Sequence, residues 1–146
     1  MRIGHLARRA LTSFPNRPVG TDAIRAARAV LLDAEFVLWS SMPPRDQTHS
    51  LQVLRRFESI VPGASRAERA AALLHDVGKT KSNLGWTGRI VATIVGARGP
   101  RFTAYADHER IGASILAGVS EPRTVQLVAM KVDDDVARAL AHADNV

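Results

Sequence analysis

Proline-centred breaks cut this sequence into short segments with helical spacing, and that punctuation limits the fold more than any other feature. Pro15 and Pro18, Met42-Pro43-Pro44, Pro62-Gly63, Pro100 and Glu121-Pro122 mark the joints. A helix ends or restarts at such places because proline lacks an amide hydrogen and its ring clashes with the preceding turn. Between the joints, Ile3, Leu6, Ala7, Ala10 and Leu11 share one face of a helix over residues 2–13. Thr21 can cap a second helix, in which Ile24, Ala27, Val30, Leu31, Ala34, Val37 and Leu38 repeat as far as Met42. Leu51, Leu54, Phe57, Ile60 and Val61 define a third over about 45–61.

Ser65-Arg66-Ala67-Glu68 has the S-x-x-E form of a capping box and opens the run Ala70-Ala71-Ala72-Leu73-Leu74, with Gly78 placed to end it. A loop with Trp86 leads to residues 89–95, whose β-branched content favours strand locally but whose neighbours are all helical, so helix is the reading taken. Ala104–Ala117 carries Ile111, Ile115 and Leu116. Glu121-Pro122 starts another helix, followed by Val125, Leu127, Val128 and Val132. Asp133-Asp134-Asp135 supplies acids to the positive N-terminal end of a last helix through Val136, Leu140 and Ala143. No Asn-Gly or Asp-Gly hairpin signal with alternating flanks is present. The pattern predicts an all-α, single-domain bundle of about seven or eight helices.

The chain's 146 residues suit one domain, and 46% hydrophobic content is enough for a real core. The longest nearly apolar run, Ile90 to Ala97, is far shorter than the roughly 20 residues of a membrane span. With no cysteine, disulfides, thiolate-ligated zinc, iron–sulfur clusters and a thiol nucleophile are all excluded. Any metal must therefore sit on His, Asp or Glu. The formal net charge of +6 invites a nucleic-acid reading, but of the 20 cations only Lys79, Lys81 and Lys131 are lysines. Arginine and alanine richness arises from coding bias as readily as from function. A soluble, cytoplasmic protein is the expectation.

The chemistry is concentrated in Ala71-Ala72-Leu73-Leu74-His75-Asp76-Val77-Gly78-Lys79. An adjacent His and Asp follow directly on a buried helix, where unpaired polar groups would cost several kcal/mol. A divalent cation resolves the conflict, since imidazole and carboxylate both bind one. Lys79 follows as a flexible point charge suited to a phosphate oxygen. The alternative is a helix C-terminus with a dipole-favoured His, an Asp turn and a Gly cap.

This stretch resembles the signature of the HD-domain superfamily of metal-dependent phosphohydrolases. The resemblance implies an all-helical fold in which an earlier His, the His-Asp pair and a later Asp hold a divalent metal. His49, 26 residues before His75, matches the earlier His, and Asp144 in Leu140-Ala141-His142-Ala143-Asp144-Asn145 matches the later Asp, with Asp133, Asp134 or Asp135 as substitutes. Asp107-His108-Glu109-Arg110-Ile111-Gly112 resembles the His-x-x-Ile-Gly element of members with a further His. His108 there would hold a second metal or a substrate phosphate, or else cap a helix. His142 lies about 200° of helical rotation from Asp144 and is not taken as a ligand, and His5 reads as a packing or surface residue. Arg2-Ile3-Gly4-His5-Leu6-Ala7-Arg8-Arg9 and the stretch from Leu84-Gly85-Trp86 to Ile94 resemble a subgroup of small bacterial members. On this basis residues 1–40 are helices packing on the core and 41–146 are the metal-binding core.

Two-metal relatives place additional His residues between the His108 position and the last Asp. Here that interval reads Leu127-Val128-Ala129-Met130-Lys131-Val132. The departure favours a mononuclear site on His49, His75, Asp76 and Asp144, holding Mn, Fe, Co, Ni, Zn or Mg. The implied activity is hydrolysis of a nucleotide or another phosphate mono- or diester, with Asp76, Lys79 and His108 as the catalytic set. Lys79, Lys81, Arg89, Arg98 and Arg101 stand in a stretch with no acid, residues 77–106, and would attract an anionic phosphate-containing small molecule. A catalytically reduced module that binds metal or nucleotide in signalling is the second reading. A basic nucleic-acid-binding helical protein is the third, disfavoured by an aromatic content of 5% and by scarce lysine.

Overall fold

A computed structural model describes residues 17–79 and 113–146, and every regular element among them is helical. The readings for residues 2–13, the Trp86 loop, 89–95 and most of Ala104–Ala117 lie outside the described residues, as do His5 and His108. The elements are α1 (Thr21–Val30), α2 (Asp33–Ser41), α3 (Pro44–Ile60), α4 (Arg66–Leu74), α5 (Pro122–Val128) and α6 (Asp135–Asp144). Val77–Lys79 forms a 3₁₀ turn, and residues 113–116 are helical. Among the described residues no helix is long and apolar enough to cross a membrane.

α4 begins as its sequence dictates. Ser65 Oγ accepts from the Glu68 amide at 3.1 Å, and Glu68 Oε1 accepts from the Ser65 amide at 2.9 Å, so two amides left over at the helix start are satisfied reciprocally. Ala70 to Leu74 are wholly buried, and α1, α2, α3 and α5 all pack against this helix. An alanine-rich centre lets those neighbours approach closely. Thr124 Oγ1 donates to the Ala67 carbonyl at 2.8 Å and pins α5 to α4. The helix does not run on to Gly78. It ends at Leu74, with His75 as its cap, and the 3₁₀ turn takes the chain onward.

The single helix expected from Thr21 to Met42 is two helices. Leu31 and Leu32 take extended backbone, and α2 starts afresh at Asp33. The cause is Glu35, which is 0% exposed. Its Oε1 accepts from the Leu32 amide at 2.9 Å and from Arg66 Nη1 at 2.9 Å, while Oε2 accepts from Ser120 Oγ at 2.8 Å. Arg66 also donates to the Val30 carbonyl at 3.0 Å and to Glu121. A buried carboxylate has to be paired and hydrogen-bonded, and these bonds fix the break between α1 and α2. Ile24 and Val37, expected on the buried face, are consequently exposed. α2 nonetheless reaches the centre: Trp39 is buried, its indole N–H donates to Ser50 Oγ at 2.9 Å, and Gln47 Nε2 donates to the Trp39 carbonyl at 3.0 Å.

α5 stops at Val128, short of Val132, which continues its apolar pattern in the sequence. The stop is a Schellman arrangement: the Met130 amide donates to the Leu127 carbonyl at 3.2 Å and the Lys131 amide to the Gln126 carbonyl at 3.1 Å. Glycine normally occupies the residue after the cap, but Met130 stands there with φ 55°, at a steric cost of about 1 kcal/mol. The acid triplet then works as its sequence suggests. Asp134 caps α6 by accepting from the Ala137 amide at 2.9 Å. Arg123 joins Asp134 at 2.8 Å to Glu68 at 3.0 Å, fastening the start of α6 to α4.

Candidate metal centre

Three helices deliver four side chains to one point. His49 belongs to the buried stripe of α3 with Val53 and Phe57, four and eight residues on. His75 and Asp76 follow the buried end of α4. Asp144 lies one turn beyond Leu140 on the inner face of α6, while His142 faces solvent. One ligand atom from each of His49, His75, Asp76 and Asp144 lies within 4.8 Å of all the others. Asp133, Asp134 and Asp135, the possible substitutes for Asp144, bind Arg138 and Arg123 instead. The Lys79 side chain and His108 lie outside the described residues.

His75 Nδ1 lies 2.7 Å from the carbonyl oxygen of Ala72, one of the last α4 carbonyls with no partner inside the helix. A carbonyl only accepts, so Nδ1 carries the proton, and in the neutral ring Nε2 presents a lone pair. That lone pair faces Asp144 Oδ1 at 3.0 Å and Asp76 Oδ2 at 3.3 Å, both acceptors. His49 Nε2 reaches the same Asp144 oxygen at 2.9 Å. Acceptors meet acceptors here unless a cation stands among them: either a proton on imidazole or a metal ion.

The electrostatics express the same conflict. Burial disfavours charge on His75, but Asp76 and Asp144 outweigh it and hold the imidazole pKa well above its ordinary value. Burial would likewise raise Asp144, yet the hydrogen bonds from His49 and His75 hold its carboxyl far below the usual carboxylate range. Two carboxylates and two neutral imidazoles total a charge of −2, which one divalent cation balances. This nitrogen and oxygen donor set, with a His oriented through its second nitrogen, suits such an ion.

Asp144 is the last residue of α6, where helices fray, yet it is held. Ala143 beside it is wholly buried, and Arg56 Nη1 donates to the Ala143 carbonyl at 3.3 Å. Sequence reasoning passed over Arg56, although its position seven residues after His49 puts both on one face of α3. The Ala72 carbonyl left no signal, because a backbone acceptor has no residue type. Arg56→Ala is expected to weaken divalent-metal affinity about tenfold, read by competition with a chelating dye, with less than about 1 kcal/mol lost in stability.

His75, Asp76 and Asp144 open onto a cavity of about 490 Å³ between α5 and α6. Leu127, Val128, Met130, Val132 and Leu140 are the large apolar residues of its wall, and Asp133 and Arg138 are charged members on that side.

No curated protein and no solved structure matches the chain. The HD domain does, over residues 47–145. That span is more than half of the sequence and takes in His49, the His75-Asp76 pair and Asp144 in order. The chain therefore belongs to the HD-domain family, within the superfamily of metal-dependent phosphohydrolases.

Proposed function

We propose that His49, His75, Asp76 and Asp144 hold one divalent cation and that the protein hydrolyses a nucleotide or another phosphate mono- or diester. The convergence of two imidazoles and two carboxylates within 4.8 Å carries this reading. A divalent ion in such a site lowers the pKa of a coordinated water and polarises a phosphoryl oxygen. Asp76, 4% exposed, is a ligand and orients the attacking water through its carboxylate. Asp144 neutralises the site and keeps both imidazoles turned inward. Lys79 and His108 neutralise charge that develops on the phosphate, and the acid-free stretch 77–106 attracts the anionic substrate.

The test strips the protein with a chelator, reloads it with Mn²⁺ and follows hydrolysis of p-nitrophenyl phosphate, its diester analogue and a nucleotide panel. Metal-dependent turnover is expected, reduced at least about 100-fold in Asp76→Ala. A protein that binds the metal stoichiometrically but turns over none of these is instead the binding module. That second reading is favoured by the absence of His from Leu127 to Val132.

A further inference from the structure

The α5–α6 wall of the cavity differs in character from the ligand cluster it adjoins. Leu127, Val128, Val132 and Leu140 give it an apolar surface. Among the described residues its one lining cation, Arg138, is engaged by Asp133 at 2.8 Å and Asp135 at 2.7 Å. Those two bonds leave the Arg138 guanidinium already paired, which makes it a poor partner for a second phosphate.

Met130 stands at the rim of this wall in the left-handed conformation, where glycine would carry no strain, and 66% of its surface is exposed. The fold gains little from a side chain that is strained at its backbone and unburied at its tip. A flexible, polarisable thioether does suit an apolar or aromatic group brought against it. Strain retained beside a candidate site is the kind of outlier from which a role can be inferred.

We propose that Met130 is a specificity-determining residue that seats the organic part of the substrate on the α5–α6 wall. The substrate is then a phosphoester whose organic part presents an uncharged, apolar or aromatic group to this wall, as an aryl group or a nucleobase does, and not one that extends toward α6 as a polyphosphate. This rests on the phosphohydrolase reading, through the assumption that the phosphate sits at the His75, Asp76 and Asp144 end of the cavity.

Two non-hydrolysable probes, phenylphosphonate and methylphosphonate, separate the two ideas when titrated calorimetrically into the Mn²⁺-loaded protein. Wild type is expected to bind phenylphosphonate about tenfold more tightly than methylphosphonate. Met130→Gly and Met130→Asn are expected to reduce that ratio to about threefold or less, with methylphosphonate affinity unchanged. The glycine variant should also melt about 2–4 °C higher without any ligand, because the backbone strain is gone. Equal binding of the two probes by wild type, or an undiminished ratio in both variants, overturns the role of Met130 and leaves the phosphate site standing. Binding of neither probe overturns the phosphate site and this inference together.

Discussion

Replacing His75 with alanine is expected to lower divalent-metal affinity at least about 100-fold, more than is typically lost with a residue that only hydrogen-bonds to a ligand. Asp133→Ala, at the cavity rim, should leave affinity unchanged. Both follow from His75 being the hub of the cluster, with its Nε2 within 3.3 Å of oxygens from Asp144 and Asp76. The same geometry sets a pH dependence. In the metal-free protein the raised His75 pKa contributes stability that is complete below the unfolded imidazole value near 6.5, and that contribution is lost as pH rises through the folded value. Asp144 is depressed instead, so its contribution is present above about 3.9 and disappears only in strong acid.

A metal ion must displace the His75 proton, so affinity should rise with pH and go on rising above pH 6.5. The increase in melting temperature on adding metal should therefore be larger at pH 8 than at pH 6, and absent at both in His75→Ala. A metal-induced increment that is the same at pH 6 and pH 8 would count against the four-residue site.

The second large effect is expected far from the metal. Glu35→Ala should cost about 3 kcal/mol, from the upper part of the range for unsatisfied buried donors. It strands the Ser120 hydroxyl and the Leu32 amide and removes one of two carboxylates from Arg66. The figure stays at the low end for a broken buried ion pair because Arg66 is 30% exposed and retains Glu121. Glu121→Ala, on the half-exposed side of the same arginine, should cost less than about 1 kcal/mol. Urea unfolding at constant m-value distinguishes them. Losses of equal size would mean that Glu35 is not the member that holds the N-terminal helices to α4.

Local signals were read well. The Ser65–Glu68 box and the acid triplet at α6 are short-range devices in which residue type, spacing and hydrogen bond coincide. The differences have two kinds of cause, distant partners and unusual local devices. Glu35 breaks the helix through partners 31 and 85 residues away, and no periodicity within α1 or α2 registers them. The stop at Val128 uses a methionine where the usual signal is glycine, so the pattern reads straight through it. His75 ends α4 by turning its ring back onto Ala72, which draws the boundary ahead of Gly78. For the site, the sequence gives reason to suspect the His75-Asp76 pair on burial grounds. The association of His49 and Asp144 came from family resemblance, since nothing local relates residues 95 apart.

That separation has a consequence for synthesis. A ribosome makes chains from the N-terminus, and helices associate as they emerge. α3 and α4 can therefore pair, with His49, His75 and Asp76 in place, while α6 is still to come. Until Asp144 arrives, one carboxylate faces two imidazoles, and the donor set is short of its fourth member. If these four residues hold a metal as proposed, the nascent protein would be a weak and unselective binder, and the docking of α6 would convert a loose chelate into a tight one.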